Sequence, residues 1–234
     1  MEQISKNTVK GTNQLEPTEY VKFENITNSG VKIMFVGNSI TLHGVLPEIG
    51  WNESYGMAAS KKENDYVHIC MREIQRVQPN ASFCICQVCE WETDYEKGWE
   101  KYNLYEKARE FNADIIIMRA VENCSGADFD KNVFIREYGN LLAYLNPDVK
   151  AKFVITTGFW KHPADDSIKE FAAMHNLPLC ELGDLGEKDE MKAIGKFEHS
   201  GVANHPGDLG MQNIAERILK VVLPMIQEVR RCEL

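Results

Sequence analysis

Five short apolar runs, each followed by a polar turn and most by a stretch of helical periodicity, constrain this chain more than any other feature. They fall at residues 31–36, 82–88, 115–120, 152–157 and 177–182. Strands that are apolar on both faces belong in a parallel sheet covered by helices on both sides. Between the first two runs, Val67, Ile69, Cys70, Ile74 and Val77 recur at helical spacing and stop at Gln78-Pro79-Asn80. Similar patterns predict helices over 96–111, 130–145, 165–175 and 208–229. The expected architecture is α/β: a three-layer α/β/α sandwich with a central five-stranded parallel sheet, formed by residues 31–234 after an N-terminal extension of residues 1–30.

A sheet of this kind carries its functional residues beyond the carboxyl ends of its strands. There the sequence supplies Gly37-Asn38-Ser39-Ile40-Thr41, Glu90-Trp91, Glu122-Asn123, Gly158-Phe159-Trp160 and finally a segment containing His205. Three chemistries would use such an edge. Phosphate or flavin binding has the hydroxyls, but lacks a glycine-rich run or a lysine. A receiver-like switch would need paired acids after the first strand. Acyl transfer needs a serine, a histidine base and an amide donor, and all three are present.

Charge narrows the partners. A net charge of −9 over 234 residues opposes attraction to nucleic acid or to an anionic membrane surface. No apolar run reaches the length of a membrane span, and the N-terminus lacks the apolar stretch of a signal peptide. Seven cysteines scattered through apolar stretches fit reduced thiols in a cytoplasm. Cys84, Cys86 and Cys89 lack a second ligand pair to close a tetrahedral site, so they read as small buried hydrophobes and no metal is expected. The sequence leaves the oligomeric state open.

Gly37-Asn38-Ser39-Ile40-Thr41 resembles the first block of the SGNH (GDSL-type) hydrolases, with Asn in place of the usual Asp. Val121-Glu122-Asn123 is similar to their third block, and Asn204-His205-Pro206-Gly207-Asp208-Leu209-Gly210-Met211 to their fifth. The order and spacing span nearly the whole chain after residue 30. The resemblance implies a flavodoxin-like SGNH hydrolase fold and a hydrolase of carboxylic esters that uses no metal or organic cofactor. Its substrates would be small acyl esters, including acetyl groups on carbohydrate. Ser39 would be the nucleophile and His205 the base, with Asn123 and the Ser39 N–H as oxyanion donors. The alternative is a non-hydrolytic carbohydrate- or ligand-binding module on the same fold.

Three positions depart from the pattern. No glycine follows the second strand, where the backbone N–H of Cys89 or Glu90 would have to serve. Val121 replaces the third-block glycine, and Val202 stands where an aspartate usually precedes the histidine. Asp208, Glu198 or a main-chain carbonyl near Val202 could orient His205 instead. The carbonyl is the favoured expectation, with Asp208 capping the last helix. The stretch from Leu42 to Lys62 exceeds what a strand-to-helix connection needs, and is either a packed surface loop or a substrate wall. Trp51 within it and Glu90 are the candidate substrate contacts, with Trp91 and Trp160 extending an apolar rim.

Overall fold

The computed structural model describes residues 19–124 and 129–232. All five expected strands form: β2 (Lys32–Gly37), β3 (Ser82–Gln87), β4 (Ile115–Arg119), β5 (Lys152–Thr156) and β6 (Leu179–Cys180). A sixth, β1 (Val21–Glu24), precedes them and pairs antiparallel with β3 at the sheet edge. The order is β1-β3-β2-β4-β5-β6, and every pairing except β1–β3 is parallel. Residues 1–30, expected as an extension, thus contribute a strand, and Tyr20 beside it is buried. Its sequence, VKFE, alternates apolar and charged residues, and at this edge Phe23 stays exposed with its ring 5.8 Å from that of Phe111. β6 is shorter than the expected run because Pro178 has no N–H to donate, although its carbonyl still accepts from Ile155 at 2.9 Å.

Successive side chains of a strand point to opposite faces, and here each face has its own core. Ile33 and Phe35 pack with Ile69 and Ile74 of α1 (Tyr66–Val77) and with Ile214 and Ile218 of α7 (Asp208–Cys232). Met34 and Val36 pack on the other side with Ala108 of α3 (Glu106–Phe111), Phe134 and Leu141 of α4 (Lys131–Leu145), and Ile168 of α5 (Asp165–Met174). The result is the three-layer sandwich, with six strands in place of five. Side chains fix the helix starts: Asp65 accepts from His68 N–H at the head of α1, and Asp130 from the N–H groups of Asn132 and Val133 at the head of α4.

The helix expected over 96–111 is not continuous. A short α2 (Cys89–Thr93) precedes it, a 3-10 segment runs from Tyr95 to Tyr105 with a break at Lys97, and only then does α3 begin. Trp91 explains the break. Its indole is fully buried against Gly98, where a Cβ would lie 2.1 Å from the ring, so the chain must bend around it. Among the described residues no helix is long and apolar enough to cross a membrane, and no cluster of His, Cys, Asp and Glu could hold a metal ion. Cys84, Cys86 and Cys89 are buried in the core.

Candidate active site

The chain goes from β2 to β3 on one side of the sheet and then crosses over to β4 on the other, so strand order reverses around β2. The turn after β2 is built on Gly37. A Cβ there would lie 2.0 Å from Thr41 Oγ1 and 2.8 Å from the main-chain oxygen of Arg119, so only glycine lets the turn close. Asn38 C=O accepts from the N–H groups of Thr41 and Leu42 at 2.8 and 3.0 Å, and Ser39 is mounted on that turn. The Ser39 carbonyl accepts from Met57 N–H at 2.9 Å. Among the described residues the Ser39 N–H donates to no acceptor.

His205 arrives from the far end of the chain, after the single-turn α6 (Ser200–Ala203). Its Nε2 lies 2.8 Å from Ser39 Oγ, and its Nδ1 lies 2.7 Å from the main-chain oxygen of Gly201. A carbonyl only accepts, so Nδ1 carries the proton and Nε2 is left to accept from the serine. Burial, with His43 adding to it, lowers the imidazole pKa to about 4 against the upward pull of the Gly201 carbonyl, so the ring is neutral at pH 7. The Trp160 ring stands edge-on to it at 5.2 Å.

Among the described residues no carboxylate is hydrogen-bonded to His205. Val202 is buried, and Glu198 is exposed. Asp208, expected as a helix cap, instead accepts from Ser60 N–H at 2.8 Å, Ser60 Oγ at 2.6 Å and Asn64 Nδ2 at 2.9 Å. It ties the end of the 42–62 stretch to the start of α7. Gly201 fills the orienting place as a main-chain acceptor, which no side-chain pattern could mark.

Beneath the serine lies a buried polar cluster that the sequence motifs did not announce. Arg119, at the end of β4, is 0% exposed and donates to Glu122 Oε1 and Asn38 Oδ1. Glu122 also accepts from Phe159 N–H at 2.9 Å. The Asn38 amide donates to Glu92 Oε1 at 2.9 Å and to Glu122 Oε2 at 2.5 Å. Asn123 Nδ2 donates to the other oxygen of Glu92 at 2.5 Å. Burial, then the neighbouring Glu122 charge, pushes the Glu92 carboxyl up to about 8. Burial works on Glu122 in the same direction, but Arg119 and the hydrogen bonds from Phe159 and Asn38 outweigh it and lower its pKa. The available signal was Arg119 itself, a charge within a run otherwise apolar, which demands buried carboxylates.

Ser39, His205 and the cluster holding Asn123 therefore meet at one edge, whereas the two candidate substrate contacts do not open onto it. Trp51 is 1% exposed, wedged between Tyr55 and Phe197 at ring distances of 5.3 and 6.0 Å. Much of the 42–62 stretch is core: Ile49, Tyr55, Met57, Ala58 and Ala59 are buried with it. Glu90 is 5% exposed and accepts from Tyr20 Oη at 2.8 Å. Trp91 is core, and the Cys89 N–H is taken by Gln87 Oε1 at 3.0 Å. Of the expected apolar rim, only Trp160 is partly exposed beside the dyad.

No family model and no curated protein matches the chain. Solved structures do. A member of the lipolytic G-D-S-L family from Veillonella parvula is 17% identical, with 81% of this chain and 97% of that one covered and a TM-score of 0.52. A two-domain esterase active on acetylated mannans is 15% identical over 84% of this chain at a TM-score of 0.54, and this chain spans 50% of its length. A psychrotrophic esterase from Pseudoalteromonas sp. is 10% identical, with 84% and 98% covered and a TM-score of 0.52. At these identities the likeness establishes the fold, and that fold is the one of the SGNH (GDSL-type) hydrolases.

Proposed function

We propose that this chain, built on the SGNH hydrolase fold, hydrolyses small carboxylic esters with a serine–histidine dyad. The observation that carries the proposal is the chain of contacts from Ser39 Oγ to His205 Nε2 at 2.8 Å and from His205 Nδ1 to Gly201 O at 2.7 Å. Ser39 Oγ attacks the ester carbonyl as Nε2 takes its proton, and the imidazolium, held by the Gly201 carbonyl, returns that proton to the leaving alcohol. Water then repeats the sequence on the acyl-serine. The Ser39 N–H and the Asn123 amide stabilise the oxyanion, each donor supplying about 3 kcal/mol of barrier lowering in comparable sites. Acetyl groups on carbohydrate are the favoured substrates, since an esterase active on acetylated mannans is among the structural neighbours. Trp160, beside His205, would stack on the alcohol side of such a substrate.

Purified protein should release nitrophenol from 4-nitrophenyl acetate, and a fluorophosphonate should label Ser39 and nothing in Ser39→Ala. A folded protein that neither turns over esters nor takes the label would be the ligand-binding module of the alternative reading.

A further inference from the structure

The buried cluster orients its amides one after another. Arg119 can only donate, so Asn38 must turn Oδ1 towards it and Nδ2 away. Both N–H bonds of Asn38 are then committed, one to Glu122 and one to Glu92. Glu92 must therefore accept at Oε1, which leaves Oε2 facing Asn123. We propose that Glu92 is a positioning residue of the ester-cleaving site: as a carboxylate it holds Asn123 Nδ2 and thereby turns the second N–H of that amide, and not its carbonyl, towards the substrate oxygen beside Ser39. The inference rests on the esterase reading above and assigns a role to a residue outside every SGNH block.

A neutral carboxyl would act differently. With Oε1 accepting from Asn38, the added proton sits on Oε2 and donates to Asn123, which must then present its carbonyl and lose its orientation. The groups that act on Glu92 are Arg119 of β4, Glu122, Asn123 and Cys124 after it, Asn38 after β2, Tyr138 of α4 and Cys89 of its own helix. Burial keeps the two thiols and the phenol protonated, so the contest lies between Arg119, which favours the carboxylate, and Glu122, which opposes it. Glu92 titrates near 8, so the donor assembles as pH rises through that value.

Glu92→Gln tests this at constant volume. Its carboxamide must offer the carbonyl to Asn38 and the NH2 to Asn123, which reverses the Asn123 amide. Above pH about 8, where the wild-type donor is assembled, the expected result is a fall in kcat of about 100-fold, as for the loss of one oxyanion donor, with KM within about twofold of wild type. Adding Asn123→Ala to that variant should cost less than about threefold more, because the donor is already lost. The rise of wild-type kcat through pH about 8 should be absent from the variant. A second readout needs no turnover. The side-chain amide 1H–15N signals of Asn123, assigned by their absence from Asn123→Ala, should titrate with a midpoint near 8 in the wild type and stay fixed in Glu92→Gln. Activity of Glu92→Gln within about threefold of wild type across the pH range would overturn the proposal. So would Asn123 signals that do not move between about pH 6 and 10. A wild type silent towards esters would defeat the esterase reading, and the amide titration would still decide whether Glu92 orients Asn123.

Discussion

Asn38→Asp would install the residue that the SGNH pattern ordinarily carries, and here it should be destabilising. Asn38 is 1% exposed and donates to Glu92 and Glu122 while accepting from Arg119. The single positive charge of Arg119 is already balanced by Glu122, and burial keeps Glu92 neutral up to about pH 8. An ionised aspartate at this position would gain attraction from Arg119 and suffer repulsion from Glu122. Each is on the order of 6 kcal/mol at an effective dielectric of about 20, so they nearly cancel. What remains is the desolvation of a buried carboxylate, several kcal/mol, with no donor added to those that Asn38 Oδ1 already accepts from. Protonating the aspartate costs about 1.4 kcal/mol for each pH unit above its free value of about 3.9, or about 4 kcal/mol at pH 7 and about 1.5 kcal/mol at pH 5. The protonated form is the lower in energy, so those figures set the loss, and the missing second N–H adds about 1–3 kcal/mol at either pH. The sign follows from linkage: the folded-state pKa is raised, so stability is lost as pH climbs above the unfolded value. Urea unfolding at the two pH values should show the variant's deficit growing by about 2.7 kcal/mol from pH 5 to pH 7. A deficit that is equal at both, or below about 1 kcal/mol at pH 7, would refute the account of the cluster.

Two further predictions concern the dyad and its support. Glu198→Gln and Asp208→Asn should each keep most of the esterase rate, the second with a lowered Tm because its contacts to Ser60 and Asn64 are disturbed, while His205→Ala is nearly inactive. The wild-type rate should also climb through pH about 4 as His205 loses its proton, and a several-hundred-fold loss in either carboxamide variant at unchanged Tm would identify a third catalytic member. Trp51→Ala should cost about 3–5 kcal/mol of stability, with activity falling in step with the folded fraction; a changed preference among ester chain lengths at unchanged Tm would return Trp51 to the substrate wall.

The sheet was legible because strands such as β2 and β4 are buried on both faces and their apolar runs have few other uses. β1 was not, because an edge strand of four alternating residues has no signal that separates it from a loop. The meeting of Ser39 and His205 at one sheet edge could be read because turn and loop chemistry at strand ends is local. The contacts of Glu92 could not, since Asn38 and Asn123 reach it from two other segments. Trp51 misled for a related reason: an aromatic in a long loop after the nucleophile reads equally as a wall or as a wedge, and only the neighbouring Phe197 decides for the wedge.

The two members of the dyad lie 166 residues apart. α7, which follows His205, packs on α1, which follows Ser39, and Trp51 and Asp208 brace the same seam. A chain emerging from the ribosome can form β1 to β5 and the turn bearing Ser39 before His205 has been synthesised. At that stage the serine has no base, and its hydroxyl is an ordinary alcohol. On the serine–histidine reading proposed above, nucleophilic chemistry appears only once the segment bearing His205 has docked, so a nascent or C-terminally clipped chain would carry Ser39 in an inert form.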